Sequence, residues 1–195
     1  MEVGDIHDRA SLQSWLATLV EQGSGWSDAV LFAHAHRAVT AGKERALRDV
    51  AELAIALQPS RERRLEATMQ GDAFVKAVEH AWPNDGLSQL RVAAPAPYAL
   101  SIAAGCAVAG ARIGLLPAVT AYLTCFCQNL VSSAVRLAPI GQSDGLAVLA
   151  ALEPVVAHTA ARAAKAQLKQ VGGLAIRSDI ASMRHETQTT RLFRS

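Results

Sequence analysis

The chain has 195 residues, which is enough for one domain with a full hydrophobic core. Hydrophobic residues make up 51% and aromatic residues 5%, and alanine dominates the apolar share, a composition that favours α-helix. A formal net charge of +2 is too small to indicate nucleic-acid binding, and the three cysteines favour a reducing cytoplasm over a disulfide framework.

Apolar periodicity predicts four helices in the first half of the chain, and we place them at about residues 12–22, 27–41, 43–58 and 60–81. Asp8 or Ser11 is expected to cap the first helix and Ser27-Asp28 the second. Pro59 ends the third helix, because proline removes a backbone donor.

The second half contains a small-residue helix over residues 98–111, followed by 23 uncharged residues at 113–135. We expect this uncharged stretch to form a buried central helix. After a break at residues 139–141, a further helix is predicted to run to about Val171, capped by Ser143-Asp144. The predicted fold is therefore all-α: a single-domain helical bundle with a buried central helix.

The uncharged stretch is also long enough to cross a bilayer of about 30 Å. Pro117, the Gln128-Asn129 pair and the two following serines argue against a membrane span, as does the lack of a clear aromatic belt. The N-terminal residues show no signal peptide. We therefore predict a cytoplasmic protein with no membrane partner.

The last 20 residues differ in kind from the rest. Arginines alternate there with polar residues and a few apolar ones, so the segment buries too little to offset its ordering entropy. We divide the chain into a helical domain, 1–175, and a mobile tail, 176–195. The tail either docks on a partner, packs on its own bundle or frays.

Two short motifs suggest metal binding, Cys125-x-Cys127 and His34-x-His36. On a helix, residues two apart diverge by about 200°, so neither pair converges on one ion. Structural roles are favoured for both, and metal contact by these side chains is the alternative. No phosphate loop or catalytic triad stands out, so no enzyme is predicted.

Asn129 and Arg136 lie seven residues apart and therefore on nearly the same helix face. Such polar groups need partners if they are buried. Arg136 either reaches solvent at the helix end, pairs inside the bundle, or belongs to an interface or channel lining.

The segment SSAVRLAPIGQSDG, residues 132–145, resembles the "AAVRLVPLGQTDGQ" stretch of the urease accessory protein UreF family. The tail DIASMRHETQTTRLFRS, residues 179–195, is similar to that family's C-terminus almost letter for letter. His36-Arg37-Ala38 and the segment around residues 61–71 resemble weaker internal motifs of the family. The resemblance covers essentially the whole chain. Family members usually begin with a segment containing "LPxGxFxHSxGLE", and this sequence starts about where that segment would end.

The resemblance implies an all-α, non-catalytic factor that helps to deliver nickel to apo-urease. It bridges the accessory protein UreD (also called UreH) and the GTPase UreG, usually as a homodimer. Nickel and GTP are expected on the GTPase, so no cofactor is expected on this chain. The alternative is a helical protein that itself holds nickel through His34, His36, His185 or the cysteines. The implied partner-binding residues lie at the helix exit and in the tail: Arg136, Pro139, Gly141, Gln142, Arg184, His185, Glu186, Arg191, Leu192, Phe193, Arg194 and Ser195. The helix-exit residues are expected to lie near the tail and the dimer or partner surface.

Overall fold

A computed structural model of the chain describes residues 6–137 and 140–173, together with Ile180 and Met183. The described residues form α-helices and one short 3₁₀ helix at 168–170, and they contain no strand. The α-helices are α1 (Arg9–Gln22), α2 (Ser24–Thr40), α3 (Glu44–Ala56), α4 (Arg61–Ala81), α5 (Asp85–Ala93), α6 (Leu100–Gly110), α7 (Leu115–Arg136) and α8 (Gln142–Ala163). The predicted all-α fold class is confirmed.

Helix α2 occupies the centre of the bundle. One apolar core lies between α2 and helices α1, α7 and α8, and a second lies between α2 and helices α3, α5 and α6. The closest approach of α2 to α6 depends on Gly105, because a Cβ there would lie 2.7 Å from the Phe32 carbonyl oxygen. A side chain at this position would push the two helices apart.

The expectation of a buried central helix requires a correction. Only 28% of the most apolar 18-residue stretch of α7 is buried, and 33% of that of α8. Both helices are long and apolar enough to cross a membrane by length and composition alone. In α7 one face packs on the core, while Gln128, Asn129 and Ser132 are exposed. Uncharged polar groups take the place of charges on that surface, so the lack of charge did not mean burial.

The sequence located most helix ends but not all of them. Asp8 caps α1 in a capping box with Ser11, so both predicted residues take part, and Ser60 caps α4 at the predicted start of the fourth helix. The predicted cap of α2 is wrong, since that helix begins at Ser24, directly after α1. Gly141, and not Ser143-Asp144, is the N-cap of α8, which ends at Ala163 rather than at about Val171. Helix α5 was not predicted.

Candidate partner-binding site

The corner between α7 and α8 carries the first group of predicted partner-binding residues. Helix α7 ends at Arg136, and α8 begins at Gln142 after the extended residue Gly141. All three of these residues are exposed, while Ile140 between them is buried and anchors the corner to the core. Pro139 lies outside the described residues.

A groove of about 250 Å³ runs between the end of α7 and the start of α8. It is lined by Gln128, Val131, Ser132, Val135, Arg136, Gln142, Gly145, Leu146 and Leu149. Val131 and Gly145 are buried in its floor, whereas Leu146 is 69% exposed at its rim. The structure thus brings Arg136 and Gln142 together at the mouth of one groove.

The depth of the groove depends on close contact between the two helices at Gly145. A Cβ at this position would lie 3.1 Å from Val131 Cγ1 and 3.2 Å from Val135 Cγ2. These contacts are tighter than ordinary van der Waals separations, so glycine allows the first turn of α8 to sit against α7.

Arg136 points away from the core. Its Nη2 donates a hydrogen bond to Ser133 Oγ (3.1 Å), and that hydroxyl in turn donates to the carbonyl oxygen of Asn129 (3.0 Å). No carboxylate pairs with Arg136 among the residues that the structure describes. The nearby acid Asp144 instead pairs with Arg9, at 3.9 Å. Arg136 is therefore exposed at the end of α7 and is not paired inside the described bundle.

The segment that leads into the tail is fixed to α2. Trp26 Nε1 donates to the Gln170 carbonyl oxygen (2.9 Å), and the guanidinium of Arg162 lies 4.6 Å from the centre of the Trp26 ring. Arg37 donates hydrogen bonds to the carbonyl oxygens of Ala164 (3.3 Å) and Ala166 (3.1 Å). Carbonyl groups at the end of α8 lack partners within the helix, and Arg37 supplies donors to them.

These contacts fix residues 164–170 at one end of α8, and the corner lies at the other end. Helix α8 has 22 residues, which corresponds to about 33 Å at 1.5 Å per residue. Gly173 lies against the α1–α2 junction. A Cβ added to Gly173 would be 3.1 Å from the Gln22 carbonyl oxygen. Gly173, the last described residue before the tail, therefore lies at the opposite end of α8 from the corner.

The predicted tail residues cannot be placed further. All eight lie outside the described residues: Arg184, His185, Glu186, Arg191, Leu192, Phe193, Arg194 and Ser195. Ile180 and Met183, on the same segment, are 43% and 48% exposed.

A polar cluster between four helices was missed by the sequence reasoning. Asp28 on α2 accepts hydrogen bonds from Tyr122 on α7 (3.3 Å) and from Ser101 on α6. Burial raises the pKa of the Asp28 carboxyl to about 6, although the positive charge of Arg63 on α4 opposes this. Burial also raises the pKa of Tyr122. A tyrosine within an apolar stretch was the one available signal, because a buried hydroxyl needs a partner.

The candidate metal motifs take structural positions. His34 Nε2 contacts the Ala166 carbonyl oxygen (3.1 Å) and His36 Nε2 that of Ile113 (2.8 Å), so both rings donate to backbone. Cys125 is exposed and Cys127 is buried, as expected for residues two apart on a helix. Across the described residues, no group of three or more His, Cys, Asp or Glu side chains is placed to hold a metal ion.

Comparison with known proteins gives consistent matches along the chain. The sequence model of the UreF family matches residues 6–153. A urease accessory protein UreF from Rhodopseudomonas palustris (strain HaA2) is 49% identical over 195 residues, covering 100% of this chain and 82% of that protein. The UreF proteins of Methylobacterium sp. (strain 4-46) and Bradyrhizobium diazoefficiens are 48% and 47% identical, again over 100% of this chain and over 78% and 81% of their own lengths.

Proposed function

Because this chain belongs to the UreF family of urease accessory proteins, we propose that it is a non-catalytic assembly factor for nickel insertion into urease. Family membership itself gives the chain a role in urease maturation. In the finer role that we propose, it bridges a UreD (UreH)-type protein and a UreG-type GTPase and supports GTP-dependent transfer of nickel to apo-urease. The observation that carries this proposal is the 49% identity over all 195 residues.

Several features of the described residues support a protein-binding role. The α7–α8 corner presents Arg136, Gly141 and Gln142 to solvent beside an apolar groove, which is an arrangement suited to a partner surface. We further propose that nickel and GTP reside on the GTPase, that the chain acts in the cytoplasm, and that it forms a homodimer.

The bridging role is tested by co-expression with the UreD-type protein, the UreG-type GTPase and apo-urease. Deletion of residues 184–195 is expected to abolish co-purification of the UreD-type partner and nickel-dependent urease activity. A matched chain with the tail intact but Arg45, an exposed residue of α3, changed to alanine serves as control. Unchanged complex formation and unchanged activation after the deletion would contradict the docking role of the tail.

The alternative, a helical protein that holds nickel itself, has less support. Two of its candidates, His34 and His36, are already engaged with backbone carbonyl oxygens, and freeing either ring would break a contact between helix α2 and a neighbouring segment. A third candidate, His185, lies outside the described residues. Equilibrium dialysis of the purified chain with Ni²⁺ separates the two functions. Tight stoichiometric binding without partners would favour the alternative, whereas weak or no binding agrees with the assembly factor.

A further inference from the structure

We propose that the α7–α8 groove binds an apolar side chain of an accessory partner, and that an Asp or Glu next to that side chain pairs with Arg136. The inference rests on the proposed function, since the occupant is a segment of a partner protein. It adds the chemistry of the recognised segment to that function, a short acidic-apolar sequence.

The size and lining of the groove indicate side chains rather than a small-molecule ligand. Its volume of about 250 Å³ lies below the range of roughly 300–1,000 Å³ typical of ligand pockets. The buried Val131 and the half-buried Leu149 give it an apolar floor. Leu146 extends this apolar surface to the rim, where it is 69% exposed and therefore available to a partner.

The positive charge at the groove favours a partner group that carries a negative charge. Among the described residues, Arg136 is the only charged one that lines the groove, and its guanidinium bonds there only to a neutral hydroxyl. The nearest acid in the sequence, Asp144, does not line the groove and contacts Arg9 at 3.9 Å. The remaining polar groups of the rim are Gln128, Ser132 and Gln142, which are uncharged. A carboxylate on the partner would complete the bonding of Arg136 with a charge-assisted hydrogen bond.

The chain's own tail is a poorer occupant by charge. Residues 176–195 carry four arginines, Arg177, Arg184, Arg191 and Arg194, against the acids Asp179 and Glu186. Such a segment brings a net positive charge to a groove that already holds an unneutralised guanidinium.

The first test measures the affinity of the chain for its UreD-type and UreG-type partners. Arg136→Glu should weaken the complex that uses the groove by about tenfold or more, because it places two like charges together. Arg136→Lys keeps the positive charge and should lose much less affinity. Arg64→Glu, a charge reversal at an exposed arginine of α4, is the matched control and should bind as the parent chain does.

The apolar part of the groove is tested with a second pair of variants. Leu146→Gln removes the exposed leucine at the rim and should weaken the same complex, whereas Leu65→Gln changes an exposed leucine of α4 and should not. Circular dichroism confirms that each variant keeps its helix content. If Arg136→Glu and Leu146→Gln both bind like the parent chain, the assignment of the groove is wrong.

A photoreactive amino acid at position 146 identifies the occupant. We expect crosslinks to a partner peptide that carries Asp or Glu within a few residues of the linked position. Crosslinks to a second copy of this chain, to residues 184–195, or to a partner peptide without a carboxylate would overturn the proposal. If the parent chain fails to bind either partner, it is the proposed function that fails; if the parent binds and the groove variants also bind, only the groove assignment fails.

Discussion

At the scale of single residues, Asp28 is a half-buried carboxyl group whose pKa is raised by its surroundings. Its carboxyl lies between α2, α4, α6 and α7, facing Tyr122, Ser101, Arg63 and Glu66. The hydroxyls of Tyr122 and Ser101 favour its charged form, and so does Arg63, yet burial outweighs them. The result is a carboxylate that links the middle of α7 to the start of α2 at a cost in desolvation.

The raised pKa of Asp28 predicts a pH dependence of stability. Its pKa rises from 3.8 to about 6 on folding, so between these values the folded chain binds more protons than the unfolded chain. The contribution of Asp28 to stability is therefore full below about pH 4 and is lost as the pH rises to about 6. Asp28→Asn should remove this loss, and its melting temperature relative to the parent should rise by a few degrees between pH 4 and pH 7.

Thermal unfolding at several pH values between 4 and 7 measures this difference. Asp49→Asn, at an exposed position of α3, is the control and should track the parent chain. A difference between Asp28→Asn and the parent that stays constant over the whole pH range would show that Asp28 does not titrate in this window.

At the scale of helices, the contact of α2 with α6 is set by the absence of a side chain at Gly105. Gly105→Ala places a methyl group 2.7 Å from a backbone oxygen of α2, and backbone cannot rotate away as a side chain can. We expect a loss of about 1–3 kcal/mol in the free energy of unfolding, as for other overpacked cores.

Chemical denaturation of the variant measures this loss. Gly114→Ala is the matched control, because a Cβ there would meet only Pro117 Cγ at 3.6 Å and Cδ at 3.7 Å, which are ordinary contacts. Equal stabilities for the two variants would mean that α2 and α6 can separate without cost.

The helices also show what local sequence can and cannot predict. Helices α1 and α4 could be located from the sequence because the capping residues Asp8 and Ser60 mark their starts. Helix α5 was missed because its nine residues begin inside a turn sequence, with Asn84 as its cap. At the corner, the resemblance to a family led to the prediction of Arg136 and Gln142 as partner-binding residues, but it did not predict the groove that both line. The bond between Asp28 and Tyr122 joins residues 94 positions apart, which no local pattern reveals.

At the scale of the whole molecule, the feature that most needs an explanation is the exposure of α7 and α8. Their most apolar stretches are only 28% and 33% buried within one chain. Their exposed faces include large apolar side chains such as Leu116 and Leu146, and contiguous apolar surface is normally covered by protein or by lipid. On α7 the exposed residues Gln128, Asn129 and Ser132 are costly in a lipid interior but are readily accommodated at a protein interface. The exposed residues therefore favour a protein interface over a lipid environment.

A homodimer that remains in the soluble fraction is accordingly the expected state of the purified chain. Light scattering should give about twice the chain mass of 20.6 kDa. Ala121→Arg places a charge on the exposed face of α7 and should shift the mass towards that of one chain, whereas Ala73→Arg, on the exposed face of α4, should not. A parent chain that is monomeric would contradict the dimer, and one that leaves the membrane fraction only with detergent would show that lipid covers α7 and α8 instead.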